Sequence, residues 1–176
     1  ELEPQEVGTC DVTPKPASCR EFSAGPIRLS IPTTAGATVS VAMNVPVGTY
    51  DEVQFKIHKV SDDDSAEVAF RAANPDLDKK SIRVTGTFNG QAFVFESDLS
   101  VGQELSLSPK LVITSATTST NLTIQFNLGD WFKDSAGGLL SPATANKGQP
   151  NENVVKENIK RSMRAFEDKD KDGNDG

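Results

Sequence analysis

Apolar and polar residues alternate in short stretches along most of this chain. Apolar side chains at every second position predict half-buried β-strands, because neighbouring residues of a strand point to opposite faces. Strands of this kind are predicted around 39–45, 53–57, 82–88, 93–95, 105–107, 111–113 and 122–128. Val68 and Phe70 predict one further strand over 65–72. The chain is therefore expected to be rich in β-structure.

The strongest local signal is Asn89-Gly90, which stands between two alternating runs. Both residue types accept the positive φ angles of a type I′ turn, whose twist matches that of the strands on either side. The sequence therefore predicts a β-hairpin that turns at these two residues.

The period changes near the C-terminus. Val155, Ile159, Met163 and Phe166 recur at helical spacing, and Asn151 stands where an N-cap is expected. A helix from about residue 151 to 166 is predicted. Together these patterns predict a mainly β fold, an immunoglobulin-like or transthyretin-like antiparallel β-sandwich of about 7–9 strands with one C-terminal α-helix.

Composition divides the chain into four predicted segments. Residues 1–26 contain four prolines and are interpreted as an extended lead or tether. Residues 27–132 form the sandwich, residues 133–167 a loop and the helix packed on it, and residues 168–176 an acidic tail.

The formal charge of the 176 residues is −7. Binding to nucleic acid or to anionic lipid is not expected, because both require clustered Lys and Arg. No apolar run is long enough to span a bilayer, so membrane association is expected only through an N-terminal lipid anchor outside this chain.

Cys10 and Cys19 are the only cysteines. Their spacing fits neither a redox Cys-x-x-Cys motif nor a haem-attachment motif, and it favours a local disulfide over two free thiols. The chain begins at Glu1 rather than at Met, which is expected if a leader has been removed. Both features favour an extracellular or cell-envelope location.

The acidic tail contains Asp168, Asp170, Asp172 and Asn174 in the register of a calcium-binding loop, with Gly173 at the position of its sharp turn. The chain stops before the twelfth position, where such a loop places a bidentate acid. Calcium is therefore the candidate cofactor, and a solvated acidic tail is the alternative. A second acidic run, 62–64, is interpreted as a charged loop tip.

Few residues suggest catalysis. His58 is the single histidine and is interpreted as a solvent-exposed strand residue, so Ser–His and most metallohydrolase sites have little to build on. Trp131 and Tyr50 are candidate ligand-binding residues. The alternative for Trp131 is that it closes the core with its indole N–H bonded at the rim.

Four stretches of the chain are distinctive, namely 47–53, 85–90, 140–145 and 151–168. In these stretches the chain resembles a group of uncharacterised bacterial secreted proteins and lipoproteins with β-sandwich domains, and the resemblance covers the chain from about residue 27 to its end. The resemblance implies export to the cell envelope and a sandwich fold, and it implies no activity. The lipobox cysteine of such lipoproteins is not present in this sequence.

The predicted function is a non-enzymatic extracellular or cell-surface module for adhesion, assembly or ligand binding, with an unknown protein or glycan as partner. Two alternatives stay open. A carbohydrate-binding module needs Trp131 and Tyr50 exposed on one surface, and a carboxylate-dependent hydrolase needs acids that converge in a pocket.

Overall fold

A computed structural model describes residues 1–4, 13–14, 21–33, 44–116 and 122–167. Within them the chain is mainly strands in antiparallel sheets, with two helices. The strands are β1 (Leu2–Pro4), β2 (Gly48–Ile57), β3 (Ile82–Phe88), β4 (Gln91–Ser97), β5 (Val101–Ile113), β6 (Leu122–Phe126) and β7 (Met163–Glu167). The helices are α1 (Ser65–Ala73) and α2 (Glu152–Arg161). Short 3-10 turns occupy Pro75–Leu77, Leu128–Asp130 and Pro142–Ala145.

The chain divides into two compact units, each assembled from separate stretches. Unit 1 contains Glu1–Phe55, Gly102–Thr123 and Ala165–Gly176, and unit 2 contains Lys56–Val101 and Ile124–Arg164. The predicted segment boundaries stay a prediction.

Unit 1 is built on a sheet with the strand order β1-β2-β5. β1 runs antiparallel to β2 and pairs Leu2 with Val53. Alternation along β5 directs Leu107 and Ile113 inward, in line with the alternation predicted at 105–107 and 111–113. On β2, Tyr50 and Val53 are both buried although they are three residues apart, because the pairing with β1 shifts register between them. Among the described residues, the buried core of unit 1 includes Leu2, Tyr50, Val53, Leu107 and Ile113.

Unit 2 is built on the β3–β4 hairpin and on α2. The hairpin pairs Ile82 with Ser97 at one end and Phe88 with Gln91 at the turn, without a bulge. Asn89 and Gly90 have φ angles of 49° and 79°, which confirms the predicted type I′ turn. Gly86 lies opposite Phe93, whose ring fills the space a side chain at residue 86 would need.

The core of unit 2 combines the inner face of the hairpin with one side of α2. Val155 and Ile159 are fully buried, as their helical spacing predicted. Two edge-to-face ring pairs, Phe93–Phe132 and Phe95–Phe132, have centroid distances of 6.2 and 5.1 Å. The buried members of this core are Phe95, Leu99, Trp131, Ala145, Val155 and Ile159.

The predicted strand over 65–72 is wrong, because residues 65–73 form α1. The Asp64 carboxylate accepts hydrogen bonds from the backbone N–H groups of Ala66 and Glu67, which satisfies the free donors of the first turn. The segment also holds four alanines, the residue with the highest helix propensity. Local capping and composition therefore prevail over the alternation of Val68 and Phe70.

The predicted end of the C-terminal helix near Phe166 is also wrong. α2 ends at Arg161, and Met163–Glu167 forms β7, which pairs with β6. The Asn127 N–H donates to the Ser162 carbonyl at 3.0 Å, next to the start of this pairing. Pairing with another strand thus ends the helix although apolar residues continue at helical spacing.

The predicted strand at 39–45 and the predicted lead at 1–26 lie largely outside the described residues. In the described part of the chain, no helix combines the length and the apolar character needed to cross a membrane.

Candidate functional site

The site candidates of the sequence fall into three groups. Cys10, Cys19 and the tail residues Asp168, Asp170, Asp172 and Asn174 lie outside the described residues, so the disulfide and the calcium site stay predictions. Within the described part of the chain, no group of three or more His, Cys, Asp or Glu side chains is placed so that it could hold a metal ion.

Trp131 and Tyr50 are both buried, at 5 % and 2 % exposure. The Trp131 Nε1–H donates to Ser162 Oγ at 2.7 Å, and the Tyr50 hydroxyl donates to the Pro46 carbonyl at 2.9 Å. Burial raises the pKa of the Tyr50 hydroxyl. This arrangement favours the alternative in which Trp131 closes a core, and neither ring offers a face to a ligand.

The side chains around His58 stabilise the start of α1. The Glu67 carboxylate lies 3.5 Å from His58 Nε2 and accepts the Ser61 backbone N–H, which lowers the pKa of Glu67. Asp62 pairs with Arg71 in the last turn of the same helix. Within the acidic run 62–64, Asp64 therefore caps the start of α1 and Asp62 pairs with a residue in its last turn, and the two carboxylates do not converge on one point.

A shallow groove of about 500 Å³, wide open to solvent, lies on unit 2 beside β4. Its walls come from the outward-facing side of the hairpin and from the segment that follows the 3-10 turn at Pro142–Ala145. The lining residues are Arg83, Val94, Glu96, Asn146 and Lys147. Sequence reasoning missed this groove, and none of its five residues was a candidate.

β-Alternation explains why two strands supply three of these side chains. Arg83 and Glu96 form a cross-strand pair in the hairpin register, and their side chains lie on the face opposite to Phe95. Val94 is two residues before Glu96 and is 45 % exposed on the same face.

Asn146 joins the groove wall to the edge of β4. Its Nδ2 donates to the Val94 carbonyl at 3.1 Å, and its Oδ1 accepts the Glu96 N–H at 2.8 Å. The carboxamide therefore bonds one acceptor and one donor of the strand at the same time. This contact fixes residues 142–147 against the hairpin.

Ion pairs determine the charge around the groove. Glu96 lies 3.1 Å from Lys80 Nζ and 3.4 Å from Arg83 Nε. Asp98 accepts hydrogen bonds from Lys147 and Lys156, each at 2.7 Å, and these bonds hold the pKa of its carboxyl well below the usual range.

Lys156 also contacts Glu152 at 2.7 Å. Burial opposes the charge of Lys156, but its hydrogen bonds with Asp98 and Glu152 outweigh burial and raise its pKa. The hydrogen bond from Lys156 and that from the Gly148 N–H lower the pKa of Glu152. The lysine partners thus favour the ionised forms of Asp98 and Glu152.

No protein-family model, curated protein or solved structure matches this chain. The resemblance to exported bacterial sandwich proteins therefore stays a prediction.

Proposed function

We propose that this protein is a non-enzymatic extracellular or cell-surface module for adhesion, assembly or ligand binding, and that the groove beside β4 receives an extended segment of a protein partner. The proposed fold is an immunoglobulin-like or transthyretin-like sandwich of about 7–9 strands, and calcium bound at the acidic tail would stabilise it.

The groove is the observation that carries this proposal. On one open surface it combines an exposed apolar side chain (Val94), an amide that bonds β4 (Asn146), and charged groups already in ion pairs (Arg83 with Glu96, Lys147 with Asp98). Such a mixture suits an extended polypeptide, which presents amide groups and side chains of several kinds.

Two observations count against the alternatives. A carbohydrate-binding module needs aromatic platforms, and the groove is lined by none, whereas Trp131 and Tyr50 are buried. A carboxylate-dependent hydrolase at this groove needs one acid that keeps its proton near neutral pH, and the acids beside the groove, Asp98 and Glu152, have pKa values lowered by their hydrogen-bond partners. Glu3, whose pKa is raised by burial and by nearby carboxylates, lies in unit 1.

A direct test compares ligand classes on arrays. The fluorescently labelled chain is applied to an array of extended peptides and to a glycan array, each in calcium buffer and in chelator. We expect binding to a subset of peptides, and we expect the Arg83→Gln/Lys147→Gln double variant to lose about tenfold in affinity.

Lys110→Gln is the matched control, because it removes an exposed lysine that pairs with Asp51 in unit 1. Glycan binding without peptide binding would overturn the proposal in favour of the carbohydrate alternative. If the double variant binds peptides as well as the original chain does, the groove is not the binding site. If binding is the same in calcium and in chelator, calcium has no role in it.

A further inference from the structure

The two outer edges of the β3–β4 hairpin differ in how their backbone groups are used. Phe88 and Gln91 close a two-residue turn, so hydrogen-bonded pairs recur at every second residue from that point. Backbone N–H and C=O groups point away from the hairpin at Arg83, Thr85 and Thr87 on β3. On β4 they point away at residues 92, 94 and 96.

The β4 edge is closed over part of its length. The Asn146 carboxamide occupies the outward carbonyl of Val94 and the outward N–H of Glu96. A strand added to β4 would have to displace this side chain. Covering an edge in this way is a known means of preventing strand pairing.

The β3 edge is open. Within the part of the chain that the structure describes, the outward N–H and C=O groups of Arg83, Thr85 and Thr87 have no hydrogen-bond partner. All three side chains are exposed. The strand contains no proline and no bulge, so only Arg83 opposes the addition of another strand.

We propose that β3 pairs with β3 of a second copy of this chain, antiparallel and about a two-fold axis at Thr85. This register places Thr85 opposite the partner's Thr85, and Arg83 opposite the partner's Thr87. The outward groups of three residues on each strand then form about six backbone hydrogen bonds. The two hairpins become one four-stranded sheet with the order β4-β3-β3-β4.

The side chains of β3 favour a second copy as the occupant. Moving the two-fold axis to Arg83 would place two guanidinium groups opposite each other, whereas the axis at Thr85 keeps them apart. On the inner face, Ile82 comes opposite the partner's Phe88, and both are only partly buried in the single chain. The pairing therefore covers apolar surface and opposes no like charges.

The charge distribution agrees with self-association through this unit. Unit 2 holds 12 Lys and Arg residues and 12 Asp and Glu residues, so two copies meet there without net repulsion. Unit 1 holds 6 and 13, which is the whole of the net charge of −7. The inference rests on the proposed assembly role for its biological meaning, and its physical basis is the β3 edge rather than the groove.

Sedimentation velocity over a concentration series up to about 1 mM tests the pairing, with three variants of the hairpin. Thr85→Lys brings two ammonium groups together at the axis and should weaken the dimer about fivefold. Thr87→Glu faces the partner's Arg83 twice and should strengthen it about fivefold. Ala92→Lys is the matched control on β4 and should change nothing.

A chain that stays monomeric over the whole series overturns the inference. So does a dimer that Ala92→Lys weakens and Thr85→Lys does not, because that dimer would use the β4 edge. Hydrogen exchange gives a second readout that does not depend on a variant folding. The amide protons of Arg83, Thr85 and Thr87 should become protected at high concentration, while those of Val84 and Gly86 are protected throughout.

The peptide array and the sedimentation series can fail separately. If the chain dimerises but binds no peptide on the array, the β3 pairing stands and the proposed groove ligand does not. If it binds peptides but stays monomeric, the groove ligand stands and the β3 pairing does not.

Discussion

The two units of this protein bury their cores to different extents. In unit 2, Phe95 of the hairpin and Val155 and Ile159 of α2 are almost completely buried. The ring of Phe132 packs edge-to-face on Phe95. In unit 1, Tyr50 is the best-buried member, and the aliphatic members of the core keep between 7 % and 9 % exposure. Among the residues that the structure describes, the core of unit 2 is therefore the more completely shielded from water.

The two units also differ in net charge. Unit 2 is electrically balanced and carries the groove, whereas unit 1 carries all of the net negative charge. Unit 2, the more tightly packed unit, is thus also the unit without net charge, and balanced charge does not repel a second molecule.

The largest expected effect comes from the core of unit 2. Phe95→Ala removes a buried ring that packs edge-to-face on Phe132, and we expect a loss of about 4 kcal/mol in the free energy of unfolding. Leu107→Ala in unit 1 should cost about 2 kcal/mol, because Leu107 is less completely enclosed. Urea denaturation followed by circular dichroism measures both losses, and the fluorescence of Trp131, the single tryptophan, reports unit 2 alone.

Equal losses for the two variants would show that the difference in burial has no energetic consequence. A fluorescence transition that Phe95→Ala leaves unchanged would contradict the assignment of Trp131 to the same core as Phe95.

A smaller effect is expected from the buried hydrogen bonds of the two units. Ser162→Ala removes the acceptor of the Trp131 Nε1–H and leaves that donor buried, which should cost about 2 kcal/mol. Tyr50→Phe removes the donor to Pro46, whose carbonyl can bond water instead, and should cost about 1 kcal/mol or less. Thermal unfolding monitored by circular dichroism measures both, and the reverse order would contradict the argument.

The smallest effect concerns pH. The pKa of Asp98 is lower in the folded chain than its ordinary value of 3.8, so the stability that its lysine partners provide is present above that value. That stability is lost as the pH falls below about 4, because the unfolded chain then takes up the proton first. Asp98→Asn should lower stability by about 1 kcal/mol at pH 7, since Lys147 is largely exposed and solvent screens its charge.

Melting temperatures of the two proteins between pH 7 and pH 2 check this prediction, and the difference between them should shrink as the pH falls. Asp51→Asn, which breaks an exposed pair with Lys110 in unit 1, is the control and should change the melting temperature little. A difference that stays constant with pH would contradict it.

Local chemistry allowed part of the fold to be predicted. The hairpin followed from Asn89-Gly90, and the buried side of α2 followed from the spacing of Val155 and Ile159. α1 was missed although its signal was present, since Asp64 and Glu67 have the spacing of a capping box. The end of α2 could not be predicted, because it depends on pairing with β6, a contact distant in the sequence.

The groove was beyond sequence reasoning for the same reason. Asn146 and Lys147 meet Val94 and Asp98 across about 50 residues of chain, at separations of 52 and 49. No motif marks either side of such a contact, and Asn, Lys and Asp are all common on protein surfaces. Only the packing of the 142–147 segment on the hairpin brings them together.

The contact of Asn146 with β4 limits which residue can stand at that position. Its carboxamide bonds the strand as one residue of a parallel neighbour would, with its oxygen on the Glu96 N–H and its nitrogen on the Val94 carbonyl. Aspartate would turn an oxygen toward that carbonyl, and alanine would leave both groups to water or to another strand. A point mutation at residue 146 would therefore free the Val94 carbonyl and the Glu96 N–H to pair with a strand of another molecule, and an uncovered edge of this kind favours aggregation.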